Sequence, residues 1–400
     1  MTLPCTPLLR RARVATSGVF FANGAVLAIW ATNIPGMKQG LGLTDSELGF
    51  ALSAFAAGTM LMMCLAGAIA TKLGSRTTVL LGGLLVSAVL PLCAMADSLM
   101  ALAAAIFCLG IANSILDVAM NTHGSLIEAK QQRPLMSSFH AVFSLGGLAG
   151  ASTVATMLSG TLGLAQCMWV SGGLMLLTTL ASVRWMGDLQ PEIDPACVVR
   201  QRVRSFAWPN RALLVIAGLT FLSLFVERTV IDWSSLYLTD VSHTSTSIAA
   251  FAFGAFSLAM AVGRLAGDLL IRKLGSHGVM TLSGIVGGAG VFLAILVPEP
   301  VTSIAGFILV GLGLANMTPL LYSQASRAYP GAPGLGLAMN GTLGYTGFLL
   351  APPIIGHLAE SYGLKLSMII PLLAFVLLTI SHLRRRARTG YVCPDAQVAR

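Results

Sequence analysis

Twelve apolar stretches follow one another along this 400-residue chain, each about 20 residues long and so able to cross a bilayer core of roughly 30 Å. They cover 14–36, 46–71, 77–96, 99–122, 135–160, 164–186, 211–238, 246–271, 278–298, 301–324, 334–358 and 363–383. Glycines and prolines interrupt several of them without disqualifying them, because neighbouring helices can satisfy the freed backbone groups. The chain therefore reads as an all-α, multi-pass membrane protein. Its 10% of charged residues agrees, being far short of the roughly 25% that covers a soluble domain.

The net charge of +9 invites a nucleic-acid reading, and its distribution removes it. With the N-terminus in the cytoplasm, 20 of the 24 Lys and Arg residues fall on the cytoplasmic side. Lys38 and Lys365 fall outside, and Arg228 and Arg264 lie within spans. The positive-inside rule then fixes both termini in the cytoplasm. The basic charge is topological, and no nucleic-acid partner is expected. Arg10, Arg11 and Arg13 before an apolar run imitate a signal peptide. That run is too long and lacks a small-x-small cleavage site, so an uncleaved first helix is expected.

Seven cysteines, at 5, 64, 93, 108, 167, 197 and 393, show no CxxC or metal spacing. No disulfide framework, metal or cofactor is expected. No Ser/His/Asp arrangement or P-loop is visible, which argues against an enzyme and against an ATP-driven pump.

Six spans stand on each side of the polar stretch 187–210, which reads as a cytoplasmic linker between a first half at 1–186 and a second at 211–385. Residues 386–400 form a cytoplasmic tail. The halves echo each other. "TKLGSR" at 71–76 returns as "RKLGSH" at 272–277, and "GIAN" at 110–113 returns as "GLAN" at 313–316. Trp30 and Trp233 lie 203 apart, each near the outer end of the first span of its half. Parallel six-helix repeats joined by a cytoplasmic loop describe a two-bundle transporter with its site at the midplane.

At this point the chain resembles the major facilitator superfamily. That family's loop between the second and third helices reads G-x-x-x-D-R/K-x-G-R-R/K. Here "GAIATKLGSR" keeps Gly67, Lys72, Gly74 and Arg76 but has Thr71 where the acid stands. Lys72 and Arg76 are expected in structural ion pairs or gates. Within the superfamily, "DVAMNTHG" (117–124), "SFHAVFSLGGLAG" (138–150), "ERTVIDW" (227–233), "GRLAGD" (263–268) and "APPIIGHLAESYGL" (351–364) resemble the YbjJ-type inner-membrane permeases of the fucose-permease branch. The resemblance implies the major facilitator fold, with 12 transmembrane helices in two pseudo-symmetric six-helix bundles. It also implies residence in a bacterial inner membrane, and the expected state is a monomer in the lipid bilayer.

Polar groups inside the spans are the candidate functional residues, since a central charge costs about 2.5–3.5 kcal/mol on insertion scales and usually faces a bundle interior or a wet cavity. In the fourth span Asn113, Asp117 and Asn121 stand at i, i+4 and i+8, on one helical face. An interhelical hydrogen-bond stripe is one explanation. A solute cavity is the better one, because amide and carboxylate together suit sugar-like hydroxyls. The resemblance implies the same: Asp117 and Asn121 match an acid-x-x-x-Asn pattern whose acid helps in substrate or proton handling, with Asp here in place of the more usual Glu.

Ser137, His140 and Ser144 share a face of the fifth span. His140, with a reference pKa near 6.5, is either a proton-exchanging group or a neutral interhelical partner. Gly146, Gly147 and Gly150 beside it read as close-packing positions. The antiporter signature G-x-x-x-G-P-x-x-G-G is absent, which mildly favours symport or uniport over drug–proton exchange. Arg264 and Asp268, four apart in the eighth span, read as a structural clasp or inner gate. Asn316, which repeats Asn113, joins Asn340, Tyr345 and Asn23 as an expected cavity liner, and so does Asn33. Trp30 is either a liner or an interface anchor.

The seventh span carries Glu227, Arg228 and Asp232. Arg228 and Asp232 are four apart and pair locally. Glu227 has Ile231 and Ser223 as its i±4 neighbours, so its own helix offers no partner. A three-way structural cluster, or a partner on the first helix, is the plain alternative. A carboxyl that can take and release a proton is the part a proton-coupled carrier needs, and Glu227 and Asp117 are the expected coupling groups. The expected function is alternating-access transport of a small hydrophilic, sugar-like solute with protons. A proton-driven exporter or multidrug antiporter, or a membrane sensor that does not transport, are the rivals.

Overall fold

A computed structural model describes residues 7–131, 135–159, 163–189, 209–328 and 333–389. Every regular element among them is helical. The helices are α1 (Pro7–Leu41), α2 (Asp45–Leu73), α3 (Ser75–Met95), α4 (Leu99–Gln131), α5 (Met136–Ser159), α6 (Leu164–Met186), α7 (Arg211–Leu236), α8 (Thr246–Leu296), α9 (Pro300–Leu314), α10 (Met317–Arg327), α11 (Pro333–Tyr362), α12 (Leu364–Ser367) and α13 (Ile369–Thr389). Eleven stretches of the described residues are long and apolar enough to cross a membrane. The remaining expected span, 334–358, lies within α11. The expected linker and tail fall largely outside the described residues.

Two expected spans share the single helix α8, which bends at Gly275 (φ 69°, ψ 164°). Gly74, between α2 and α3, has nearly the same backbone (φ 80°, ψ 151°). A side chain at that positive φ is strained, so glycine is the residue that permits the corner. These are the glycines of the repeated "KLGS", and the repeat is thus visible as one shared backbone turn. The tenth expected span, by contrast, is interrupted. α9 stops at Leu314 and α10 starts at Met317. Pro319 explains the break, since it has no N–H and its ring opposes the carbonyl of Ala315 four residues back.

Glycines let backbones touch where no hydrophobic effect drives helices together. A Cβ on Gly24 would fall 2.0 Å from the Phe143 carbonyl oxygen, and one on Gly146 would fall 2.0 Å from that of Phe21. α1 and α5 are therefore in backbone contact. Gly150 adds to the same seam against Ala25, whereas Gly147 faces Ser257 of α8. Leucines such as Leu61, Leu177 and Leu265 are more than half exposed, as a lipid-facing belt requires.

The helices before and after 187–210 meet along two lines, α2 with α11 and α5 with α8. Gly49 and Gly356 allow the first, their absent Cβ positions lying 2.5 Å from the Pro352 oxygen and 2.4 Å from the Asp45 oxygen. On the second, Ser247 Oγ donates to the Ala155 carbonyl at 2.7 Å. At the same end Lys38 Nζ joins Asp45 of its own half at 2.7 Å and Asp240 of the other at 3.2 Å. The backbone N–H of Ser46 donates to Glu360 Oε2 at 3.0 Å. This is the end where α1 stops and α2 starts, away from the first turn of α1.

Candidate functional site

Between the two halves, side chains from α4, α5, α7, α8, α10 and α11 converge on a polar cluster. Glu227 of α7 finds its neighbour on another helix. Its Oε1 lies 3.8 Å from Arg264 Nη2 of α8, with the two side chains 18% and 22% exposed. That distance exceeds a hydrogen bond, so the pair is an electrostatic contact with room between its members. Arg264 also reaches across the halves, its Nη1 donating to Ser144 Oγ of α5 at 3.2 Å. Ser144 in turn donates to the His140 carbonyl one turn back, at 3.2 Å. The His140 ring stands edge-on to Phe20, 5.5 Å between centroids. Asp268, the partner expected for Arg264, lies outside the residues whose side chains are described.

Asp117 of α4 accepts from Asn121 Nδ2 at 3.2 Å, and the same nitrogen donates to the Asp117 carbonyl at 2.8 Å. The i, i+4 spacing fixes this: one turn brings the amide over the carboxylate. Tyr345 of α11 lies within the electrostatic reach of Asp117, Tyr322 and Glu227, and Tyr322 of α10 within that of Glu227. Two carboxylates, one guanidinium and two phenols drawn from both halves thus share one region. Among the described residues, no three His, Cys, Asp or Glu side chains are grouped to hold a metal ion.

The next residue of α7 faces a different surrounding. Arg228 and Asp232 pair at 2.6 Å between Nε and Oδ2, with side chains only 3% and 0% exposed. The guanidinium carbon sits 4.9 Å from the centroid of Phe55 in α2 and 4.8 Å from that of Phe348 in α11. An aromatic from each half therefore sandwiches it, and cation–π attraction in a dry site is worth about 2 kcal/mol. The contact is an ion pair without hydrogen-bond alignment: Arg228 Nε and Nη2 and both Asp232 carboxylate oxygens have no hydrogen-bond partner among the described residues. Phe55 and Phe348 carry no signal in the sequence, where each is one more apolar residue of a greasy helix.

The other expected liners divide. Asn340 is fully buried, and its Oδ1 accepts from Thr220 at 3.0 Å while its Nδ2 has no partner among the described residues. Asn113 and Asn23 likewise keep an unpartnered Oδ1, Asn23 with its amide 3.8 Å from Met120 Sδ. Asn33 is buried and bonds its own helix, Nδ2 to the Ile29 carbonyl at 2.7 Å. Asn316 contacts α8: Nδ2 donates to the Gly263 carbonyl at 2.9 Å, and a Cβ on Gly267 would lie 2.2 Å from its Oδ1. Trp30 is 1% exposed and Trp233 fully buried, each with an indole N–H lacking a partner among the described residues. Burial removes the interface-anchor reading of Trp30.

At the end of the bundle where α1 starts, Arg76 donates Nε to the Val183 carbonyl at 2.9 Å and Nη1 to Asp188 at 3.2 Å. Asp188, just past α6, supplies the acid that Thr71 does not. Thr71 itself bonds the Gly67 carbonyl at 2.9 Å, and Lys72 is exposed. His123, which no spacing in the sequence distinguishes, is buried between Ser75 Oγ (2.8 Å to Nδ1) and the Met186 carbonyl (3.1 Å to Nε2). The carbonyl can only accept, so Nε2 carries the proton and Nδ1 accepts from Ser75. His123 thereby ties α4 to α3 and α6.

A family model described as the Major Facilitator Superfamily matches residues 16–352 and 216–392. The chain is 32% identical to an MFS-type transporter of Yersinia pestis over 371 residues, covering 92% of this chain and 94% of that protein. It is 34% identical to the membrane protein MosC of Rhizobium meliloti, over 86% of this chain and 83% of the relative. Among solved structures, a crystallised variant of the nucleoside transporter NupG superposes with a TM-score of 0.76 at 15% identity. That match covers 94% of this chain and 99% of the other.

Proposed function

The chain belongs to the major facilitator superfamily of membrane transporters, and on that premise we propose that it moves a small hydrophilic, sugar-like solute together with protons. The observation that carries this reading is the contact Glu227–Arg264–Ser144, in which a carboxyl on α7 and a guanidinium on α8 meet α5 of the other half. A loose, part-exposed pair can be opened by a proton or by a solute hydroxyl.

In this mechanism the halves 1–186 and 211–385 rock about the central cluster, held by the cytoplasmic linker 187–210 and followed by the tail 386–400. Both termini lie in the cytoplasm of a bacterial inner membrane, and the working unit is a monomer. The end closed by Lys38, Asp240 and Glu360 is then the outer one. With the cavity open outward, Glu227, with Asp117 beside it, takes up a proton, which frees Arg264 from its counter-charge. Asp117, Asn121, Asn113, Asn340 and Tyr345 offer donors and acceptors for solute hydroxyls, with His140 and Asn23 at the margin. Opening inward, the carboxyl returns to Arg264 and the proton leaves. We also place the chain in the YbjJ-type, fucose-permease-related branch, on its motifs.

The test is counterflow in proteoliposomes across pentoses, hexoses, polyols, nucleosides and lipophilic cations. Exchange of a hydrophilic solute, weakened by Asp117→Asn, is expected. Outward proton-driven flux of lipophilic cations alone would replace this reading with an exporter, and failure of every solute would favour a sensor.

A further inference from the structure

Where α1 starts, α1 and α6 enclose a groove of about 780 Å³. It begins at a close contact, a Cβ on Gly18 standing 3.1 Å from Ser182 Oγ, and runs along one face of α1 to Pro7. That stretch is about 16 Å of helix. Its walls change character along this length. Val14, 66% exposed, lines the groove between its two ends. Arg10 and Arg11 line it toward the start of α1, as does Trp185 of α6.

The Arg11 guanidinium carbon lies 5.1 Å from the Trp185 ring centroid. A guanidinium held against an aromatic ring keeps N–H donors that a phosphate can accept from. No carboxylate pairs with Arg10 or Arg11 among the described residues. Two cations toward the start of α1 and an apolar length running from them along the same helix match a molecule with an anionic head and a hydrocarbon tail. A free phosphate would answer the charges and leave the apolar length unused. A neutral lipid would fill the length and leave the guanidiniums without a counter-charge.

We propose that this groove binds an anionic phospholipid, its phosphate on Arg10 and Arg11 and one acyl chain along Val14 toward Gly18. Such a lipid sits on α1, the helix that packs on α5 through Gly24 and Gly146, and so braces the first half from the membrane side. The proposal is independent of the solute.

Native mass spectrometry of the full chain, titrated with dioleoyl phosphatidylglycerol, dioleoyl phosphatidylcholine or glycerol 3-phosphate, tests it. Two cations near a membrane surface give an expected preference of roughly tenfold or more for phosphatidylglycerol over phosphatidylcholine, with no competition from glycerol 3-phosphate. Arg10→Gln/Arg11→Gln should reduce phosphatidylglycerol retention to the phosphatidylcholine level, while Arg13→Gln, outside the groove, leaves it unchanged. Because the double variant also removes topological charge, Ala181→Trp fills the groove with both arginines in place and should abolish retention equally. Unchanged retention in both groove variants overturns the site. Equal retention of the two lipids reduces it to an apolar cleft, and full competition by glycerol 3-phosphate reassigns it to free phosphate. Either result also overturns the proposal.

Discussion

Neighbouring residues of α7 hold two carboxylate–arginine pairs that differ in almost every physical respect. Arg228–Asp232 lies within one helix at 2.6 Å, is excluded from solvent and is clamped between Phe55 and Phe348. Glu227–Arg264 joins two helices at 3.8 Å, with each side chain about one-fifth exposed. Burying two charges costs several kcal/mol per ion, and only close geometry offsets that. Removing one member of the first pair strands a buried charge, and it is accordingly proposed as the fixed one. The second, looser and part-exposed, is the one proposed to exchange partners during transport. A single step along α7 thus separates the two environments.

The comparison breaks first at Asp232. Asp232→Ala leaves a buried guanidinium uncompensated, so a loss of about 3–5 kcal/mol is expected, read as a collapse of thermal stability and monodisperse yield in detergent. Arg228→Met/Asp232→Leu removes both charges and should recover most of that loss. If the single variant is as stable as wild type, the pair is not the fixed one.

A smaller effect is expected on the working side. Asp117→Asn keeps the fold and weakens apparent solute affinity roughly tenfold, or about 1.4 kcal/mol. The concentration dependence of counterflow reports it, and an unchanged value would move the cavity away from α4. Glu227→Gln should shift thermal stability by less than about 1 kcal/mol, because a loose, part-exposed pair contributes little. A shift as large as that of Asp232→Ala would erase the distinction between the pairs.

The smallest change is expected where Lys38 bridges Asp45 and Asp240, with 20% and 44% of the acid side chains exposed. Lys38→Ala should cost no more than about 1 kcal/mol while favouring the conformer open at that end. Maleimide labelling of a cysteine placed at Ser46 should then accelerate. An unchanged rate would show that the glycine seam at Gly49 and Gly356, and not the ion pairs, holds the end shut.

Much of this was legible in the sequence, because a bilayer admits few structures. The twelve apolar runs dictated helices, and the recurring "KLGS" reappears as matched corners at Gly74 and Gly275. The Arg228–Asp232 pair followed from i, i+4 geometry alone. What the sequence left open is whatever depends on helices being neighbours. Glu227 is without a partner on its own helix, and Arg264 lies 37 residues further on, so no local rule joins them. Asn316 repeats Asn113 in letters, yet it stands at a break between helices and its amide donates to the Gly263 carbonyl of a neighbouring helix. The acid facing Arg76 was sought at position 71 and stands at Asp188, on the far side of four helices.

The most direct test of proton coupling at Glu227 follows protons in place of solute. Vesicles loaded with pyranine and carrying the wild-type chain or Glu227→Gln are exposed to pentoses, hexoses, polyols, nucleosides and lipophilic cations. At least one hydrophilic solute should drive an internal pH change in wild-type vesicles that Glu227→Gln abolishes while counterflow of that solute persists. An equal pH change in both would contradict the assignment of Glu227 as the coupling group.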